Sequence, residues 1–215
     1  MVHYFPSCNF TRLRPEASEA AKNLMASLGV QVEGCCRPGH KKLEAGETAL
    51  TVCQTCDMII GEGAPQAAVQ SAWEYLDSLT GHVWPDHTGE RIILQDCWRA
   101  RSNRPLQDAV RSLLYKMGYE VVELPDNREK TTFDGEWLYK PVLPGNLKLA
   151  PKAFAQIEPH VTLLSPEEQK ARMAEYCSHL DGKVVVYCNA CLTGLLDGGA
   201  DAVHLMELLT GTEKR

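Results

Sequence analysis

The sequence predicts an α/β protein of two tandem, pseudo-symmetric βαβ repeats, each built on a small parallel sheet. Three observations predict it. A strand–helix–strand pattern occurs twice, the two copies align at a constant offset, and in both copies cysteines fall at the carboxyl ends of strands.

The first strand is the β-rich run "VHYFPSC", which stops at Pro6 and reaches Cys8. "RPEASEAAKNLMASLG" follows as a helix. Pro15 fits its first turn, Ala20, Ala21, Leu24, Met25 and Leu28 form an apolar stripe, and Gly29 ends it. A second strand, "VQVEG", delivers the adjacent pair Cys35 and Cys36. "TVCQTC" then supplies Cys53 and Cys56 as a CxxC, and a helix is expected after it over "QAAVQSAWEYLDSL".

The second half repeats this order. Residues 92–94 form a strand that runs into Cys97, a helix follows over about 105–117, and Gly118 precedes the strand "YEVVEL". Setting Cys8 over Cys97 gives an offset of 89, and the same offset places Leu24 on Leu113, Gly29 on Gly118 and Val32 on Val121 without a gap. "VVVYCNAC" supplies the second CxxC, Cys188 and Cys191, with a helix expected over "ADAVHLMELL". Such self-similarity marks an internal duplication. It predicts an N-terminal repeat over 1–85 and a C-terminal repeat over 90–215, with an insertion at about 126–180 in the latter. Within the insertion, "KPVLPGNLKLAPKAF" reads as an irregular proline-rich loop. "SPEEQKARMAEYCSHL" reads as a helix opened by a capping box, Ser165 with Glu168. Leu124 and Pro125 stand where the first half has Cys35 and Cys36.

A chain of 215 residues can bury an apolar core without covalent staples. Its net charge of −6 argues, mildly, against a nucleic-acid or anionic-membrane partner. "MVHYFPSCNF" lacks the basic and apolar regions of a signal peptide, and no apolar run approaches the ~18 residues of a membrane span. A cytoplasmic protein with no membrane span is therefore expected. In a reducing compartment, nine cysteines point to metal or redox chemistry rather than to disulfides.

Cys8, Cys35, Cys36, Cys53 and Cys56 all lie at or just beyond strand carboxyl ends. In parallel sheets that edge gathers the connecting loops and binds ligands. Five thiolates in one place repel one another unless a cation neutralises them. Zinc takes four ligands in a tetrahedron, so a fifth cysteine is one too many. Iron–sulfur clusters normally take four as well, but a vicinal pair suits an open cluster in which one thiolate bridges two irons.

A strand-end cysteine, a helix, a vicinal Cys-Cys and a CxxC, given in tandem, resembles the cysteine-rich CCG domain. That domain occurs in the B subunit of heterodisulfide reductase and in related succinate and glycolate oxidoreductase subunits. The resemblance covers about residues 4–209. It implies Rossmann-like repeats and a non-cubane 4Fe-4S cluster in the N-terminal repeat, held by Cys8, Cys35, Cys36, Cys53 and Cys56. The implied activity is electron transfer or thiol/disulfide reduction, with a small thiol or disulfide as substrate reacting at cluster iron. No flavin or nicotinamide motif is recognisable, so an electron-donating iron–sulfur or flavoprotein subunit is the expected partner.

Two departures stand out. Arg37 follows the vicinal pair where the family usually has glycine, and only Cys97, Cys188 and Cys191 match the second motif. Without its own vicinal pair, the second site cannot repeat the five-thiolate arrangement. Its fourth ligand would come from Cys177, from a histidine such as His179 or from an unexpected residue, making a second zinc or iron–sulfur site. Other readings are an iron left open to substrate, or no metal and a plain dithiol. The functional alternative is a zinc-binding structural or adaptor subunit of a redox complex.

Cys177 itself reads as a buried packing residue. His82 and His87 are expected to be solvent-exposed in the linker, and His40 to lie in a surface loop, the alternative being a hydrogen bond from it to a cluster sulfur. Arg37, Arg99 and Arg101 either offset cluster charge or hold an anionic substrate, or are solvated loop arginines. No phosphate-binding glycine loop and no GxSxG elbow occurs.

Overall fold

Short β-rich segments separated by amphipathic helices can pair only in parallel, because each connection crosses back over the sheet. The computed structural model describes residues 1–213 and shows two four-stranded, all-parallel sheets. The first holds β1 (Val2–Phe5), β2 (Gln31–Val32), β3 (Thr48–Thr51) and β4 (Ala68–Ser71) in the order β2-β1-β3-β4. The second holds β5 (Arg91–Leu94), β6 (Glu120–Glu123), β7 (Val184–Val186) and β8 (Ala202–His204) in the order β6-β5-β7-β8. The two orders are the same, strand for strand. The fold is α/β with tandem Rossmann-like βαβ repeats.

Helices α1 (Cys8–Leu13) and α2 (Pro15–Ser27) lead from β1 to β2, and α3 (Cys36–Gly39) and α4 (Gln54–Gly63) flank β3. Pro15 opens α2 as expected, and Gly29 takes a left-handed φ of 76° just past its end. In the second repeat α6 (Arg104–Lys116) has Asn103 as its N-cap. Its terminating glycine, Gly118, sits at φ 85° with a would-be Cβ only 2.6 Å from Thr88 Oγ1. The duplicated glycine ends a helix in both repeats, which only glycine does without strain.

Two expectations need correction. The segment after the first CxxC is not one helix over 66–79. Helix α4 starts at the CxxC itself, and that segment forms β4 and then α5 (Ala72–Asp77). The second repeat behaves alike: α10 (Asn189–Asp197) starts at its CxxC, and the later segment splits into β8 and α11 (Leu205–Leu209). A free parallel edge on β3 and on β7 is paired by these short strands, in register Thr48↔Ala68 and Val184↔Ala202. Unpaired ladder groups at that edge outweigh helix propensity.

The insertion is also more regular than expected. Its proline-rich stretch forms α7 (Pro144–Leu149) and α8 (Pro151–Ala155), each with proline in the first turn. Glu62, on α4, accepts the Lys152 and Ala153 backbone N–H groups at 3.1 and 2.8 Å and so caps α8. Helix α9 (Pro166–Cys177) opens with the expected Ser165–Glu168 capping box.

One apolar core runs through both repeats, with Tyr4, Leu50 and Trp73 in contact with the cluster that contains Leu94, Leu113 and Val185. A second core joins Phe5, Ile59 and Ile60 to Val142, Phe154 and Ile157, so the insertion covers one side of the first repeat. His87 is not solvent-exposed. It is buried, stacked on Tyr119 at 4.5 Å, with Nδ1 3.2 Å from Glu90 and Nε2 facing Glu213 at 3.8 Å, so two carboxylates and an aromatic face offset the cost of burying the ring. His82 is half-buried against Trp84. Among the described residues, no helix is long and apolar enough to cross a membrane.

Candidate metal centre

β5 and β7 are neighbours with Leu94 opposite Val185, and three residues beyond that pair come Cys97 and Cys188. Cys188 is the N-cap of α10, and Cys191 lies in that helix's first turn. The CxxC spacing therefore turns both its thiols toward Cys97 at the sheet's carboxyl edge. All three are buried.

A fourth donor comes from the insertion. Asp134 Oδ1 lies 3.3 Å from Cys97 Sγ, 3.8 Å from Cys188 Sγ and 3.9 Å from Cys191 Sγ. The four donor atoms all fall within 4.8 Å of one another, and all four residues are buried. Gly135 permits this approach. It takes φ 57°, and a Cβ there would stand 2.0 Å from Ala190 O, in the CxxC turn. The Trp98 N–H donates to Phe133 O at 2.8 Å and laces the same loop to the Cys97 strand end.

Arg99 holds the carboxylate. Its Nε donates to Asp134 Oδ2 at 2.7 Å and its Nη2 to Oδ1 at 3.2 Å, with side-chain exposures of 4% for Arg99 and 0% for Asp134. Trp137 stacks on the guanidinium at 4.3 Å. Behind the site, the Cys97 N–H donates to Tyr187 Oη at 3.1 Å, and Tyr187 donates to Asp96 at 2.9 Å. Arg111 bridges Asp96 at 2.7 Å and Glu123 at 2.6 Å, bracing β5 against α6 and β6.

The buried donors carry their protons unevenly. Burial raises Asp134 to about 7, against the nearby Arg99 charge. Burial also pushes the Cys97 and Cys191 thiols well up. The Cys188 thiol is held well below the usual range, because Cys191 and Cys97 donate to it and Arg99 adds positive charge. One thiolate, two thiols and a half-ionised acid are what a bound divalent cation converts to four anionic ligands.

The first repeat brings its five thiols to the equivalent edge. Cys8 opens α1, Cys35 caps α3, Cys36 starts it, Cys53 caps α4 and Cys56 lies in α4's first turn. Cys8 adjoins Cys35, and Cys56 adjoins both Cys36 and Cys53. Cys53 is lowered to about 5 by the Cys56 thiol and by Arg99, and Cys36 is lowered by Cys56. Cys56 is raised well above its usual value by both partners, and Cys8 is pushed up to about 11 by partial desolvation of its sulfur and by Cys35. Cys8 is exposed and Cys35 half-buried, so this group opens to solvent on one side. Its thiols are spread more widely than those of the second site, which among the described residues is the one group of three or more donors within 4.8 Å.

The two sites adjoin. Arg99 Nη1 donates to Thr55 Oγ1 at 3.0 Å, inside the first CxxC, and Nη2 lies 3.5 Å from Cys188 Sγ. Asn189, inside the second CxxC, donates to Ser7 Oγ at 3.2 Å beside Cys8. Between the sites lies a cavity of about 240 Å³ walled by Cys53, Arg99, Trp137 and Asn189, with Arg12 and Lys140 also on its wall.

The second site's fourth donor is therefore Asp134, not Cys177 or His179. Cys177 is buried, 3.5 Å from Leu195 O, as a packing residue, and His179 is exposed. His40 is buried rather than on a surface loop, with Nδ1 2.9 Å from Cys36 O. This contact satisfies its ring nitrogen while the ring fills the space beside Gly63. Of the three arginines, Arg99 serves the site, Arg37 binds Asn146 at 2.6 Å, and Arg101 stacks on Trp98 at 4.3 Å. Asp134 carries no spacing signal in the sequence; its Asp-Gly pair reads as a turn. No family model, no curated protein and no solved structure matches the chain.

Proposed function

We propose that this chain is a metal-binding redox protein of the CCG type, with zinc in the second site and a non-cubane 4Fe-4S cluster in the first. The observation that carries the metal reading is the donor set Cys97, Asp134, Cys188 and Cys191. Bonds of about 2.3 Å to sulfur and about 2.0 Å to oxygen give tetrahedral edges of about 3.5 Å between oxygen and sulfur. The Asp134 separations of 3.3, 3.8 and 3.9 Å fit that tetrahedron. A cubane carries each thiolate on a different iron and spreads its ligands more widely. Four protein donors leave no open position, which is the pattern of structural zinc.

The redox role rests on the first site. Cys8, Cys35, Cys36, Cys53 and Cys56 would hold the cluster, which when bound supplies single electrons to a substrate sulfur. The chain's own residues provide the rest. The exposed Cys8 and half-buried Cys35 leave one face open, and the cavity beside Cys53 has room for a small thiol or disulfide. Arg12 and Lys140 supply positive charge at its wall, the lysine in an ion pair with Glu136. Reducing a disulfide to two thiols consumes two electrons and two protons, so an electron-donating iron–sulfur or flavoprotein subunit is required.

Metal and sulfide analysis of anaerobically purified protein tests this. One zinc with four irons and four sulfides per chain, in brown protein, is the expected result, and Cys36→Ser should lose the iron while keeping the zinc. The tighter geometry of the second site favours one competing reading, a zinc-holding structural or adaptor subunit. That predicts colourless protein with zinc and no sulfide.

A further inference from the structure

We infer that Arg99 is a positioning residue shared by both cysteine sites, so that a metal in the second site orders the CxxC turn of the first. This rests on the proposal that Cys97, Asp134, Cys188 and Cys191 hold a metal.

The guanidinium is used on every edge. Nε and Nη2 fix Asp134, at 2.7 and 3.2 Å, and leave Oδ1 facing the three sulfurs. Ligating groups are commonly aimed by such an outer partner. Nη2 also lies 3.5 Å from Cys188 Sγ, and Nη1 reaches across to Thr55 Oγ1 at 3.0 Å. Thr55 stands between Cys53 and Cys56, in the first turn of α4. Trp137 covers the flat face at 4.3 Å, so the group has one arrangement rather than several. A planar fork makes these contacts simultaneously; a lysine ammonium, a point donor on a flexible stem, does not.

The sites are tied a second time in the same sense. Asn189 of the second CxxC donates to Ser7, next to Cys8, at 3.2 Å. A metal that holds Asp134 in place therefore holds Arg99, and Arg99 holds Thr55. The linkage is reciprocal, because a coupling free energy between two binding events has no direction.

The test uses the full chain without its cluster. Zinc affinity is measured by competition with a chromophoric chelator in wild type, Arg99→Gln, Arg99→Lys, Thr55→Val and Asp134→Ala. In parallel, alkylation of Cys53 is followed peptide by peptide with and without one equivalent of zinc. Arg99→Gln and Arg99→Lys should each bind zinc about 10–100-fold more weakly, the usual cost of losing an outer-shell partner. Cobalt-loaded Arg99→Lys should keep the wild-type thiolate charge-transfer spectrum, showing an intact ligand set. Thr55→Val should weaken zinc binding by about the same factor as the slowing it abolishes, at least about fivefold, because the coupling is reciprocal. In wild type, zinc should slow Cys53 alkylation by at least about fivefold, the lower end of ordinary site coupling. Thr55→Val should abolish that slowing.

Wild-type zinc affinity in Arg99→Lys, or slowing of Cys53 that survives in Thr55→Val or Asp134→Ala, would overturn the shared role while leaving the metal proposal standing. Wild type that binds no zinc would overturn the metal proposal itself, and Arg99's role with it. Because Arg99→Gln leaves Asp134 buried without its partner and can fail to fold, Arg99→Lys and Thr55→Val keep the outcome decisive.

Discussion

Adding one equivalent of zinc to the metal-free protein should release about three protons per ion at pH 6 and about two at pH 8. The count follows donor by donor. Cys188, held well below the usual thiol range by the Cys191 and Cys97 thiols and by Arg99, is assigned as the thiolate and so contributes no proton to the count. Cys97 and Cys191 are held as thiols chiefly by burial, and each gives up one proton. Asp134, raised by burial to about 7, gives up a proton at pH 6 and very little at pH 8. Each displaced proton steepens the binding constant by about tenfold per pH unit. Zinc affinity should therefore climb about a thousandfold per unit below pH 7 and about a hundredfold per unit above it. Calorimetric injections in buffers of different ionisation enthalpy read the proton count directly. Asp134→Asn, which has no acid to titrate, should release about two at both pH values. A wild-type count that does not change between pH 6 and 8, or that Asp134→Asn leaves unaltered at pH 6, would refute the assigned protonation of the four donors.

Two further outcomes are expected. Gly135→Ala should weaken zinc binding at least about tenfold and lower the unfolding temperature, since its Cβ meets Ala190 O at 2.0 Å and the loop carrying Asp134 must retreat. Zinc competition and thermal melts check it, and a wild-type result in both would mean the loop is not packed this tightly. His204 lies fully buried against Phe10 and Trp73, and burial lowers its pKa to about 3. Its unfolded form takes up a proton below about 6.5, so its stabilising contribution is complete above that pH and drains away as pH falls toward 3. By pH 4 the loss is about 3 kcal/mol. Urea unfolding of His204→Phe should show a shallower decline from pH 7 to 4 than wild type, and identical declines would exclude His204 as the cause.

The duplicated architecture is legible in the sequence because its marks are local. The helix-ending glycines Gly29 and Gly118, the apolar stripe of α2 and the strand-end cysteines each depend on near neighbours in the chain. The short edge strands β4 and β8 are not legible. At four and three residues, each is too short to show a period, and each is strand only because β3 and β7 present an unpaired edge. The burial of His40 and His87 is hidden for a similar reason, since their partners, the Cys36 carbonyl and the Tyr119 ring, meet them only in the fold.

The sequence by itself determined that the three thiols of the second repeat would gather at one edge of their sheet, as the five of the first repeat gather at the equivalent edge of theirs. CxxC spacing at a helix start and one cysteine per strand end are enough to dictate that. Only the tertiary structure decided what completes the second site. Asp134 reaches Cys97 across 37 residues of chain, through a glycine that lets two backbones meet and an arginine that turns the carboxylate inward. A carboxylate in an insertion has no period and no fixed spacing to its partners, so its role is set by packing alone.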